Sequence, residues 1–156
     1  EMLNNGIRLN AIGQVDRLPM MVRLPLKSLM RETSHNNDMV LNLALSYGSR
    51  AEIVDAVQRM ANDVQNRKLD VDAITEETVS SYLYTANMPD PEIIIRTSGE
   101  MRLSNFLMWQ AAYAELVVLD IPWPEFTVQH LESSIAEFHS RQRRFGKTGQ
   151  QVNPSK

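Results

Sequence analysis

Two arginines, Arg96 and Arg102, stand six positions apart in the stretch IIIRTSGEMRLSN, and Ser104 follows after Leu103. A guanidinium is planar and permanently charged, and its forked N–H donors match two oxygens of a phosphate. A hydroxyl beside two such forks adds a neutral donor. Thr97, Ser98 and Gly99 are small, and small residues let a backbone come close to a ligand. The chemistry that fits is the holding of a phosphate or diphosphate. A structural alternative stands beside it, in which Arg96 pairs with Glu100 or Asp90 and Ser104 does no more than cap a helix.

Those charges need positioning. Ile93, Ile94 and Ile95 run directly into Arg96, so a strand apolar enough for the middle of a sheet ends in a fixed charge. Ligands of open α/β sheets bind beyond the carboxyl ends of the strands. Ser104 or Asn105 is the expected N-cap of a helix over NFLMWQAAYA, whose free N-terminal amides would add to an anion site.

Three further runs read as strands: GIRLNAIG after an Asn5-Gly6 turn signal, MVLNLALSYG, and ELVVLDI. Continuous β-branched runs point to strands covered on both faces, as in parallel sheets. Helical patterns separate them. Ser49 with Glu52 has the spacing of a capping box, and Ile53, Val57, Met60, Ala61 and Val64 make one apolar face behind it. A second helix follows Thr75, with Val79, Tyr82 and Leu83 inward, and another spans about Pro25 to Thr33. The last starts near Pro124, carries Val128, Leu131, Ile135 and Phe138, passes through the basic RQRRF and stops at Gly146. The fold class predicted is α/β, a mainly parallel sheet with flanking helices.

The 156 residues suit one domain, here 1–146, with a polar tail over 147–156. At 43% hydrophobic and 22% charged the chain can build an ordinary core. A net charge of −3 makes nucleic acid no partner for the molecule as a whole. The absence of cysteine excludes disulfides and thiolate chemistry and suits a reducing cytoplasm. No apolar run reaches the ~18 residues of a membrane span. His35, His130 and His139 lack ligand spacing and read as surface or helix-face residues. Met20, Met21 and Met30 read as core packing by default, with a lipid-contacting wall as the minority reading. Trp123-Pro124 is expected to turn the chain and pack, and Asn87 to tolerate a left-handed turn. The chain opens at Glu1 and enters a strand within a few residues, like a piece cut from something longer.

The stretch PDPEIIIRTSGEMRLSNFLMWQAAYAEL, with WPEF and RRFG after it and LNLALSYGSRAEIVDAV before it, resembles the C-terminal signature of the cis-prenyltransferases, nearest to their bacterial undecaprenyl diphosphate synthase branch. The likeness runs from about Leu9 to Gly146. It implies an enzyme that condenses isopentenyl diphosphate onto an allylic diphosphate such as farnesyl diphosphate. The product is a long cis-polyprenyl diphosphate, the carrier lipid of cell-wall synthesis, and Mg2+ is the cofactor. By resemblance Arg96, Arg102, Leu103 and Ser104 bind isopentenyl diphosphate, and Glu115 binds the Mg2+. A straight helix from Ser104 to Ala114 would carry Glu115 about 15 Å from the diphosphate. The resemblance also implies a cytoplasmic homodimer formed through the C-terminal portion, with peripheral membrane contact through the lipid product.

One family signature, D-G-N-G-R-W, does not occur in these residues. Its aspartate and amides hold the metal and the allylic diphosphate. The expectation is therefore the C-terminal part of a synthase, without the N-terminal strand-helix units and without a catalytic residue of its own. Such a chain would be inactive alone and prone to self-association. Two readings stay open beside it: a non-catalytic scaffold subunit of a prenyltransferase complex, and a generic anion-binding module.

Overall fold

The computed structural model describes residues 2–141, which fall into two compact units divided between Pro89 and Asp90. In the first unit, strand β1 (Ile7–Ile12) pairs in parallel with β2 (Met39–Ala44), from Ile7 opposite Met39 to Ile12 opposite Ala44. Helix α1 (Met20–Glu32) makes the crossover that parallel neighbours require. Leu9 and Ile12 of β1 are buried. The fully buried Thr33, at the end of α1, accepts the Leu9 N–H at 3.0 Å and donates to the Leu29 carbonyl at 2.8 Å. One hydroxyl thus fastens the helix end to the strand.

Helix α1 starts at Met20, well before the expected Pro25, which lies in its interior. Proline removes one helical N–H, and the carbonyl of Met21 loses that partner. Both residues lie on the exposed side of the helix, where water can satisfy the carbonyl. The same exposure corrects the methionine reading: Met20 and Met21 are 63% and 82% accessible and are not core residues.

Helix α2 (Ser49–Gln65) forms without the predicted capping box. Gly48 is the N-cap, and Ser49 is the first helical residue, buried rather than capping. Glu52 is turned inward and fully buried. Its carboxylate accepts the Tyr47 hydroxyl and, at 2.7 Å, the Tyr84 N–H. A buried carboxylate is tolerable where hydrogen bonds replace its water. The inward stripe is Ser49, Glu52, Ala56 and Met60, while the apolar Val57 is left 52% exposed.

Helix α3 (Glu76–Tyr82) starts as predicted at Thr75, whose hydroxyl and that of Thr78 serve each other's backbone N–H. Leu83 beyond it is buried. The Tyr82 hydroxyl donates to Asp63 of α2 at 2.7 Å, and the Arg59 guanidinium lies 5.7 Å from the Tyr82 ring centre. Asn87 stands at φ 67°, the left-handed turn its type allows.

In the second unit, β3 (Ile93–Arg96) pairs in parallel with β4 (Glu115–Val118), from Ile93 opposite Glu115 to Arg96 opposite Val118. Val117 is fully buried. The helix expected over 105–114 is absent; the chain there runs as turns. Ser104, Asn105 and Leu107 have φ of 49°, 64° and 45°, and three left-handed residues within four positions cannot start a right-handed helix. Helix α4 (Val128–Ser140) begins at a Thr127 cap reciprocated by His130, after a short 3-10 turn at Trp123–Glu125. Trp123 stacks on Phe126 at 5.2 Å. Arg141, extended at φ −80° and ψ 140°, closes α4. The helix therefore ends at Ser140, before the expected run through RQRRF, and residues 142–146 of that expectation lie outside the described residues. Among the described residues no helix is long and apolar enough to cross a membrane.

Candidate functional site

The carboxyl end of β3 opens into a cavity of about 470 Å3 whose walls include Arg96, Thr97, Glu100, Arg102, Leu103 and Ser104. The sequence-selected residues 96, 102, 103 and 104 therefore share one space. Arg96 is the last residue of its strand, and its carbonyl accepts the Leu119 N–H at 2.8 Å. One arm of its guanidinium donates to the Arg102 carbonyl and to Ser104 Oγ, the latter at 3.1 Å. Arg96 thus holds the loop 97–104 folded back upon the strand end. Five N–H donors leave it further capacity towards a ligand.

Among the described residues, Arg96 forms neither of the ion pairs proposed from the sequence, with Glu100 or with Asp90. The pair that does form joins Arg102 to Glu100, two positions earlier and also on the cavity wall. The sequence reading gave Glu100 no place in the site. The available signal was an acid two residues before an arginine in a tight polar turn.

The backbone contributes less than expected. Ser98 and Gly99 stand at φ 67° and 65°, and their N–H groups donate to the carbonyls of Ile121 at 2.7 Å and Leu119 at 3.0 Å. Those amides are spent holding the loop against the end of β4. A side chain at Gly99 would be strained by its φ and would place its first carbon 3.1 Å from Asp120 Oδ1. Ser104 begins no helix, so no helix N-terminus adds its dipole. What remains for an anion is two guanidiniums and the hydroxyls of Thr97, Ser98 and Ser104.

Glu115 lies elsewhere. It opens β4 opposite Ile93, so the parallel register sets it at the far end of the strand pair from Arg96, about 10 Å along the strand direction. Its carboxylate accepts the Arg141 guanidinium at 3.0 Å. Arg141 also donates to the Leu116 carbonyl at 3.0 Å and pairs with Glu137 of α4. The bonds to Glu137 and then Glu115 push its pKa further up. Among the described residues no group of three His, Cys, Asp or Glu is placed to hold a metal ion. His130 caps α4 through Thr127, while His35 and His139 are exposed.

A family model described as "Putative undecaprenyl diphosphate synthase" matches residues 1–146. The chain belongs to this prenyltransferase family. It is 49% identical over 146 residues to an isoprenyl transferase of Bacillus anthracis, an alignment covering 94% of this chain and 57% of that protein. An isoprenyl transferase of Geobacter sulfurreducens is 46% identical over 149 residues, covering 96% and 61% respectively. The chain thus spans about three fifths of the length of the curated relatives it matches.

Solved prenyltransferases superpose on the same fold. The crystal structure of lavandulyl diphosphate synthase from Lavandula x intermedia, in complex with dimethylallyl diphosphate, matches with a TM-score of 0.88 at 34% identity, over 90% of this chain and 61% of that one. A "probable undecaprenyl diphosphate synthase" from Campylobacter jejuni matches with a TM-score of 0.77 at 36% identity, over 92% and 65%. The α/β reading with parallel strands agrees with this membership.

Proposed function

We propose that the cavity beyond β3 cradles the diphosphate of isopentenyl diphosphate, within a synthase that condenses it onto an allylic diphosphate to give a long cis-polyprenyl diphosphate. The observation that carries this is the meeting of Arg96, Arg102, Leu103 and Ser104 on one cavity. A doubly phosphorylated head is matched by two forked cations, with Ser104 Oγ a further donor. Membership of the family supports the reaction class. So does the allylic diphosphate named with the lavandulyl synthase structure.

In this reading the arginines hold the nucleophilic substrate still, so that its double bond is presented to the carbon from which the allylic diphosphate departs. Charge on that departing group must be neutralised for the step to proceed. The resemblance gives that work to residues of the D-G-N-G-R-W pattern, absent from these 156 residues. We therefore expect the chain to bind isopentenyl diphosphate and not to elongate it. An assay of the purified chain with both diphosphates and Mg2+ checks this; sustained elongation would refute it.

The resemblance gives Glu115 to Mg2+, a hard ion that takes carboxylate and diphosphate oxygens. Around Glu115 the described donor set does not fit that ion: one carboxylate is already answered by Arg141. The Glu115 assignment thus remains a proposal from resemblance, with ligands required from outside the described residues. Comparing isopentenyl diphosphate binding with Mg2+ and with a chelator, in wild type and in Glu115→Gln, tests it. A homodimer is the proposed assembly, supported by exposed Val128, Leu131 and Ile135 on α4. Sedimentation of the chain tests it, a strictly monomeric particle counting against it.

Calorimetric titration with isopentenyl diphosphate tests the cradle itself. A charge-assisted contact is worth about 1.5–3 kcal/mol, so Arg102→Ala should weaken binding about tenfold or more. Loss of less than a few tenths of a kcal/mol would remove Arg102 from the site.

A further inference from the structure

Resting on the anion-site reading above, we propose that Glu100 is a built-in competitor for Arg102: it occupies that guanidinium in the empty pocket and must be displaced by a ligand long enough to reach both arginines. Two observations carry this. Glu100 and Arg102 pair with each other, and both line the cavity that holds Arg96 and Ser104. Their side chains are 36% and 67% exposed, so the pair sits in water rather than locked in a core.

The two arginines are held differently. Arg96 is tied through one guanidinium arm to the Arg102 carbonyl and to Ser104 Oγ, bonds that fix the loop. Among the described residues, the Arg102 side chain is paired with Glu100, a carboxylate it can exchange. A diphosphate offers Arg102 a phosphate in place of that carboxylate, a more highly charged acceptor with the same two-pronged geometry. An exposed ion pair is weak, so the exchange costs little. It still subtracts from the affinity of any ligand that needs Arg102. Glu100 thereby keeps binding reversible, which suits a pocket that must release its phosphorylated ligand after each addition.

The discriminating experiment is a double-mutant cycle read by titration calorimetry, with inorganic pyrophosphate as probe at fixed ionic strength. Glu100→Gln in the wild-type chain should tighten pyrophosphate binding about three- to fivefold, the scale of an exposed ion pair. The same substitution in an Arg102→Ala background should change binding by less than about twofold. Glu100→Asp keeps the charge and should stay nearer to wild type than Glu100→Gln.

A merely structural Glu100 would make Glu100→Gln weaken binding, and that result overturns the proposal. So does a gain that persists undiminished without Arg102, because it would reduce Glu100 to general repulsion. Pyrophosphate binding that is absent, or indifferent to Arg96→Ala, would sink the underlying anion-site reading. A normal Arg96-dependent affinity without a gain in Glu100→Gln sinks the exchange alone.

Discussion

The two units treat a carboxylate near the carboxyl end of their strands in opposite ways. In the first, Glu52 is fully buried and its oxygens serve Tyr47 and the backbone of Tyr84. In the second, Glu100 faces a cavity and is answered by Arg102. The buried acid is a fastening, because its hydrogen bonds cannot be exchanged with water without opening the unit. The exposed acid is a replaceable partner, because water and anions reach it. The same chemical group makes one loop permanent and leaves the other responsive.

The largest expected effect breaks the fastening. Glu52→Ala strands the Tyr47 hydroxyl and the Tyr84 N–H in the interior, at about 1–3 kcal/mol for each unpaired group. Thermal denaturation should show a fall in Tm of many degrees, and an unchanged Tm would show that Glu52 is not needed. Next comes the responsive side. Arg96→Ala removes both a charged ligand contact and the tie to Ser104, and should weaken isopentenyl diphosphate binding about ten- to a hundredfold. If binding survives it, the contrast between the units has no functional content.

Gly99→Ala probes how firmly the responsive loop is shaped. Its left-handed backbone disfavours a side chain by about 1–2 kcal/mol, and Asp120 crowds the added carbon. Stability should drop by that order and anion binding with it. The smallest effect sharpens the first unit again. Tyr82→Phe deletes the hydrogen bond to Asp63 and should lower stability slightly. That bond, with the nearby Asp63 charge, raises the Tyr82 phenol above its usual pKa. A raised pKa stabilises the folded state below the unfolded value near 10, and the contribution is lost as pH climbs through the folded value. The difference between wild type and Tyr82→Phe in alkaline denaturation should therefore be full at pH 8 and vanish at strongly alkaline pH.

Much of this architecture could be read from the chain, for local reasons. Ile93–Ile95 and the β4 run are continuous apolar segments, and Thr75 is a capping residue followed by a polar helix start. Arg96, Arg102 and Ser104 were legible as a group because nine consecutive positions can hardly separate them widely. The failures are long-range. FLMWQAAYA has good helical propensity, yet left-handed residues at 104, 105 and 107 turn the chain instead, a tertiary override of local preference. Ser49 and Glu52 have capping-box spacing, but Tyr47 and the Tyr84 backbone claim the acid for the interior. The position of Glu115 depends on which end of β4 lies beside which end of β3. Strand register is not written in the spacing of charges along the sequence.

Thr33 has one more consequence. Its hydroxyl already occupies the Leu9 amide, so a foreign strand zipping along that margin of β1 would first have to evict it. The outer border of the first sheet is thereby plugged at its centre by a single oxygen, which steers any aggregation of this chain away from ribbon growth through β1.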